Sequence, residues 1–434
     1  MENKKVVKNA SWIIGVQILR SLISIVISML TARFLGPSNY GLINYAASIV
    51  SFVTPIMYLG LTGILVQEII NNPDDEGKTT GTAIALSFTS SLLCILGVIV
   101  FVYFVNAGET ETLIVCFLYS LLLIFQSIDL IQYWFQAKLL SKYSSIASFI
   151  AYFIVALYKV YLLASGKGVF WFAVSNAIDY FIIAILLVVF YKKQGGAKLS
   201  FSFNAAGRML SRSKYYILSN LMITVFGQTD KIMLKLMVND AATGYYAAAA
   251  TCAGMTYFVF SAIIDSVRPM IFDYKKENDI EMYEKSMICL YCIVIYLSLI
   301  QSVVFTVASP LIIRILYGEG YVESIPVLQV IVWYSTFSYL GGARDIWILA
   351  EGKQRHLIVI NLVGAVLNVA LNFVLIPYIS AMGAAIATVI TQFFINGVFI
   401  FIYKPTRRNA ILQFKAFNPK YLLLVLKKIK GSKV

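Results

Sequence analysis

Five basic residues, Arg20, Lys159, Lys231, Lys235 and Arg344, fall inside long apolar runs of this chain. On insertion scales a charge at the centre of a bilayer costs about 2.5–3.5 kcal/mol, so each of them needs a use. Arginine offers a planar fork of N–H donors and lysine a compact point charge, and phosphate is a natural partner for both. Arg20 lies midway along its run, too deep to reach water easily. Lys231 and Lys235 are four apart and share a helix face, while Asp230 points elsewhere. The acids available in the runs are Asp129, Asp179, Asp230, Asp265 and Asp345. A surplus of cations at several depths suits an anionic substrate. Arg20, Lys231 and Arg344 are therefore candidate cavity residues, with Lys235 nearer a segment end. An isolated carboxylate in a membrane suits a coupling proton or cation, and Asp179 and Asp230 are the candidates for that role. Each position also has a structural reading. Arg20 would pair with Asp129 or Asp179, Lys235 and Lys159 would snorkel, and Arg344 would anchor an interface beside Trp347.

Other chemistry finds little support. No paired carboxylates, glycine-rich phosphate loop or D-x-D motif stands out, so no catalytic residue is assigned and an enzyme is not expected. The five cysteines all lie in apolar segments, and Cys289 and Cys292 have no histidine or acid beside them. They are read as small buried hydrophobes, and with His356 alone in a loop no metal site is assigned.

The elements that carry these residues are membrane helices. The chain is 60% hydrophobic and only 13% charged, with a mean hydropathy of +0.81. Its apolar residues recur in runs of about 20, the length that spans a hydrocarbon core. The runs predict twelve spans, near 11–34, 41–66, 82–105, 112–135, 145–164, 169–191, 215–238, 245–268, 286–309, 325–350, 357–378 and 382–403. With both termini cytoplasmic, 27 of the 35 basic residues lie on the inner side, and three, Arg33, Lys167 and Arg314, on the outer. That bias fits the positive-inside rule. The net charge of +14 is thus read as topology signal and headgroup attraction, not as a nucleic-acid surface. The first span is expected to be retained, since no small-residue cleavage pattern follows the basic start. The outer loops are too short for a domain, so any chemistry lies in the membrane or at the inner face.

The predicted organisation is a first six-helix bundle over 1–191, a basic linker over 192–214, a second bundle over 215–403 and a basic amphipathic tail over 404–434. Sliding the sequence by 203 places Gly41 on Gly244, Ala46 on Ala249 and Ala47 on Ala250; sliding by 213 places Trp134 on Trp347 and Lys142 on Arg355. These echoes predict a six-plus-six duplication, the architecture that alternating access exploits. Gly36 and Pro37 would end the first span and start the second, with Arg33 at most lining the outer mouth.

The stretch A-R-F-L-G-P-S-N-Y-G, from Ala32 to Gly41, resembles the first hairpin of bacterial polysaccharide flippases of the Wzx type. These belong to the multidrug/oligosaccharidyl-lipid/polysaccharide (MOP) exporter superfamily. Q-T-D-K-I-M-L (Gln228 to Leu234) with T-G-Y-Y-A-A-A, L-Y-G-E-G-Y (Leu316 to Tyr321), and the run from Asn368 to Thr388 are similar to that family in the same order. The resemblance covers nearly the whole chain. It implies an all-α, MATE-like fold in the bacterial cytoplasmic membrane, with two pseudo-symmetric bundles and a cationic cavity. It also implies a substrate, an undecaprenyl-diphosphate-linked oligosaccharide, moved to the outer leaflet for O-antigen, capsule or exopolysaccharide. A polysaccharide polymerase and a chain-length regulator are the implied protein partners. No cofactor is expected beyond an H+ or Na+ gradient or the membrane potential, and the chain is expected to act as a monomer among membrane lipids. Lipid II flippases of the superfamily typically carry two further helices that this chain lacks. The alternative is a cation-coupled multidrug exporter of the MATE type, which shares the fold but not the G-P-S-N-Y-G hairpin.

Overall fold

The computed structural model describes residues 2–418, 420 and 421, with side chains from Leu19 onward except those of Tyr215 and Ser219. Among the described residues the elements are all helical. Two compact units divide the chain at residues 244 and 245. The first contains α1 (Glu2–Met57), α2 (Leu65–Asn71), α3 (Glu76–Val105), α4 (Thr110–Ser120), α5 (Leu122–Gln126), α6 (Ile131–Ala137), α7 (Ser141–Ala164), α8 (Val169–Lys193) and α9 (Phe203–Met237). Helix α10 (Asp240–Gly254) starts in the first unit and runs into the second. There follow α11 (Tyr257–Lys276), α12 (Ile280–Leu316), α13 (Ser324–Ile331), α14 (Tyr334–Ala350), α15 (Arg355–Phe393), α16 (Phe399–Ile402) and α17 (Arg407–Ala416).

Among the described residues, eight helical stretches are long and apolar enough to cross a membrane, where the sequence predicts twelve spans. Two of the eight contain non-helical backbone inside what is otherwise one continuous helix. In α1, Gly36 has φ +74° and is followed by Pro37. Ser28 Oγ and the Tyr40 hydroxyl lie 2.9 Å apart, although twelve residues of straight helix would separate them by about 18 Å. The chain therefore folds back at the expected turn. In α15 the break falls at Ile379 and Ser380, the latter with φ +50°. A Cβ on Gly383 would sit 2.6 Å from the Leu375 carbonyl oxygen, so the two limbs meet backbone to backbone. Two expected spans miss the eight for different reasons. Helix α9 mixes Asp230, Lys231 and Lys235 into its apolar residues, and residues 324–350 are split into helices of 8 and 17 residues.

In the first unit α1 packs on α7 and α9, and α7 on α8. One buried cluster gathers Trp134 and Phe135 with Leu61, Leu65, Leu187 and Met209; another gathers Tyr45 with Val98, Val102, Val115 and Ala173. The start of α10 presses directly on α1. A Cβ on Gly41 would lie 1.8 Å from the Asp240 carbonyl oxygen, and one on Gly244 would lie 2.0 Å from that of Pro37. Only glycine permits backbones this close. Residues 194–202, within the expected linker, lie along α3. The Tyr191 hydroxyl donates to the Ala197 carbonyl at 2.7 Å, the Ser200 amide to the Gly77 carbonyl and the Ser202 amide to Thr82 Oγ1 at 2.9 Å.

In the second unit α12 packs on α13, α14 and α17, with Trp347, Tyr283, Tyr291 and Tyr317 fully buried. Within the expected tail, α17 docks through Arg408 on Glu284 at 2.8 Å and through Asn409 on the Tyr291 hydroxyl. It leaves Ile411, Phe414 and Phe417 exposed. The rest of that tail, residues 419 and 422–434, lies outside the described residues. Across both units the outward helix faces are strongly apolar: Leu93, Phe104, Val307 and Phe373 each expose about 70% of their surface. Apolar surface on this scale is what a bilayer covers.

Candidate functional site

Arg20 and Asp179, separated by 159 positions, meet in the first unit: Arg20 Nη2 donates to Asp179 Oδ2 at 3.2 Å. The guanidinium also lies over the Tyr152 ring, 5.1 Å from its centroid, and keeps a third of its side chain exposed. Helices α1, α7 and α8 supply the three residues. Asp179 is 7% exposed, and its second oxygen, Oδ1, accepts no hydrogen bond among the described residues. Asp129 is within electrostatic reach of both Arg20 and Asp179, and Lys159 within reach of Asp179. Asp129 also accepts from Gln132 Nε2 at 2.5 Å. The pairing reading of Arg20 and the coupling-acid reading of Asp179 thus fall on one ion pair.

The α9 residues occupy two levels. Lys231 Nζ lies 3.4 Å from Gln228 Oε1, which also accepts from Ser48 Oγ at 3.0 Å. Asp230, beside it in sequence, is 5% exposed. One turn further on, Lys235 is buried between two carboxylates, 2.6 Å from Asp240 and 2.7 Å from Glu109. Glu109 also accepts from Thr112 at 2.6 Å and from Asn106 at 3.4 Å, and Asn106 is held by the Tyr45 hydroxyl at 2.7 Å. Burial alone would push the Glu109 carboxyl up. The Lys235 ammonium and these hydrogen bonds outweigh it and hold the carboxyl below its ordinary range. Arg33 is exposed beside the turn at Gly36.

Arg344 belongs to the second unit and is 4% exposed. Its Nη1 donates to Asn396 Oδ1 at 2.7 Å, and its Nη2 to Asp345 Oδ1 at 2.9 Å. Asn396 sits in a π-helical turn, Phe394–Val398, and its amide donates to Gln392 Oε1 at 2.7 Å. An extra residue in such a turn re-aims a side chain, and π-turns recur at functional sites. Gly341 makes the room, since a Cβ there would be 2.7 Å from Asn396 Oδ1. Trp347, three residues further along α14, carries Lys353 over its ring at 4.7 Å. Sequence reasoning missed Asn396 and Gln392. Their signal was two amides four apart in an apolar run.

Such a set of buried cations and acids on membrane helices defines a multi-pass membrane protein with polar sites inside its bundles. The chain belongs to the polysaccharide biosynthesis protein family, which matches residues 6–275. It is 22% identical to the capsular polysaccharide biosynthesis protein CapF of Staphylococcus aureus, over 92% of this chain and 99% of CapF. It is equally 22% identical to a Shigella flexneri protein named for O-antigen transport, over 88% and 94% of the two chains. An uncharacterised membrane protein of Methanocaldococcus jannaschii is 23% identical over 67% of this chain, which spans only 58% of that relative's length. Among solved structures, an inward-facing multidrug resistance MATE transporter of the MOP superfamily superposes with a TM-score of 0.71 at 12% identity, covering 91% and 96% of the chains. The lipid II flippase MurJ, in an inward closed conformation, superposes at 0.67 and 13% identity, covering 95% and 92%. At these identities the likeness establishes the fold, which this chain shares with both of those transporters.

Proposed function

We propose that this protein is a flippase. It moves undecaprenyl-diphosphate-linked oligosaccharide repeat units across the bacterial cytoplasmic membrane by alternating access, for O-antigen, capsule or exopolysaccharide assembly. The observation that carries the reading is the chemistry of the cations on apolar helices: in a chain of a polysaccharide biosynthesis family, Arg20, Lys231 and Arg344 place phosphate-binding groups among apolar residues. The names of the Staphylococcus and Shigella relatives point to the same cargo. Sugars and diphosphate would travel past these cations while the lipid chain stays in the bilayer. Arg33 would line the outer mouth, and Asp179, or Asp230, would carry the coupling charge for an H+ or Na+ gradient.

The membrane topology we propose has twelve crossings with both termini inside, in six-helix halves over 1–191 and 215–403. The breaks at Gly36 and at Ile379–Ser380 divide two long stretches into four crossings, and α9 and residues 324–350 supply two more. Support for the duplication comes from the glycine contacts. A shift of 203 carries Gly41 onto Gly244 and Pro37 onto Asp240, so the contact of Gly41 with Asp240 becomes the contact of Gly244 with Pro37.

The test is transfer of a fluorescent undecaprenyl-diphosphate oligosaccharide between the leaflets of reconstituted vesicles. Wild-type protein is expected to accelerate it, and replacing Arg20, Lys231 and Arg344 by alanine to abolish it. Transfer by the triple variant at the wild-type rate would refute the cavity assignment. Dye efflux without lipid transfer would identify a multidrug exporter instead.

A further inference from the structure

Glu68 of α2 is 1% exposed, yet two arginines share it. Arg208 Nε donates to Glu68 Oε2 at 2.9 Å, and Arg212 Nη1 donates to Glu68 Oε1. Asn72 completes the surroundings, donating to Oε2 at 3.4 Å. The arginines are one turn apart on α9, so their side chains are neighbours on one face. Their own side chains remain 37% and 55% exposed. Each guanidinium carries five N–H donors, and Glu68 takes one from each. Donors beyond those two bonds remain on each guanidinium, and both side chains reach the surface.

The surroundings fix this pair in place. Gly60, at φ +66°, brings α9 so close that a Cβ there would lie 2.4 Å from the Ser213 carbonyl oxygen; Gly63 abuts the Tyr216 ring. Further along the same segment, Asp75 pairs with Lys78 at 2.8 Å and Glu76 with Lys138 at 2.6 Å. Asp75 feels Arg208 only at longer range. One arginine would neutralise Glu68. A second, more exposed than the first, leaves a net positive charge on a rigid mount, with two forks held side by side. That is a preorganised receptor for an anion with two phosphoryl groups, because neither side chain must be ordered on binding.

We infer that Arg208 and Arg212 form a docking site for a diphosphate borne on a membrane lipid, with Glu68 as the buried group that positions them. By the charge bias the site lies on the inner face, before the deeper cations in the path of the cargo. This inference rests on the flippase reading for the identity of the lipid; the diphosphate chemistry rests on the two arginines.

The experiment titrates inorganic pyrophosphate, with orthophosphate as control, into full-length protein in nanodiscs. It is repeated with undecaprenyl diphosphate, and then with excess phosphatidylglycerol, as competitors. Three proteins are compared: wild type, Arg208→Lys with Arg212→Lys, and the neutral cluster Glu68→Gln with Arg208→Gln and Arg212→Gln. Wild type is expected to bind pyrophosphate more tightly than orthophosphate and to lose it to undecaprenyl diphosphate but not to phosphatidylglycerol. The lysine pair should bind about tenfold more weakly, because a point charge replaces a planar fork. The neutral cluster should not bind. The lysine pair keeps the buried carboxylate compensated, so it tests the site even where the neutral cluster fails to fold. Wild-type affinity in the lysine pair or the neutral cluster overturns the site. Equal displacement by phosphatidylglycerol overturns the diphosphate assignment in favour of an ordinary headgroup. Lipid transfer is measured with the same three proteins reconstituted in vesicles. Wild-type transfer without pyrophosphate binding overturns this site and leaves the flippase reading intact, whereas binding without transfer does the reverse.

Discussion

Replacing Gly41 with alanine puts a methyl group where there is no space. The new Cβ would lie 1.8 Å from the Asp240 carbonyl oxygen and 2.8 Å from the Gly244 nitrogen. Side-chain carbons essentially never approach a neighbour closer than 3.0 Å, and here the neighbour is backbone, which cannot rotate away. The α1 and α10 backbones must therefore separate locally by more than an ångström. Overpacking of this kind costs about 1–3 kcal/mol. Alanine recovers at most about 1 kcal/mol of helix propensity, so a net loss of roughly 2 kcal/mol is expected at the upper end of that range. The shift also strains the bonds of Lys235 to Asp240 and Glu109, because Asp240 is the residue displaced. Gly244→Ala clashes with the Pro37 carbonyl in the same way, at 2.0 Å. One separation of the two backbones relieves both clashes, so the double variant should cost clearly less than the sum of the singles. Thermal unfolding in detergent of the wild type, both singles and the double measures this. Wild-type stability in either single variant, or strict additivity in the double, would refute the shared backbone contact.

Glu109 carries an acid-dependent part of the stability. A carboxyl held low in the folded state stabilises above its unfolded value near 4.5 and loses that contribution as pH falls through the lowered one. The unfolding midpoint should drop as pH falls below about 4.5, and Glu109→Gln should flatten that drop. Asn396→Ala strips the buried Arg344 guanidinium of a partner, at a cost of about 1.5–3 kcal/mol in unfolding free energy. An unchanged midpoint would mean that Arg344 is satisfied without it. Neutralising Arg20 alone leaves the buried Asp179 carboxylate without the one cation that hydrogen-bonds it among the described residues. The double variant Arg20→Gln with Asp179→Asn should therefore unfold at a higher temperature than Arg20→Gln by itself. If the double is the less stable of the two, the ion pair does not form in the folded protein.

Much of the local structure was legible in the residues themselves. Gly36-Pro37 announced the fold-back in α1, because a glycine that can adopt positive φ followed directly by a proline without an amide interrupts the helical hydrogen bonds. The apolar runs announced helices of membrane length, because hydrogen-bonded backbone is the only kind that lipid tolerates. Crossings were harder to count where polar residues interrupt the run, as in α9, or where a helix is divided, as at residues 332–333. Site chemistry was legible only as a list of charges. That Arg20 meets Asp179, that Lys235 is shared by Glu109 and Asp240, and that a π-turn aims Asn396 at Arg344 all depend on how each helix is rotated against its neighbours. So does the pairing of Glu68 with two arginines from 140 and 144 positions away. The sequence by itself determined an all-helical membrane protein with costly charges inside it, since hydropathy and backbone preference act between near neighbours in the chain. Only the tertiary structure decided which charges answer which, because a few degrees of helix rotation move a side chain from one partner to another, and packing alone sets that rotation.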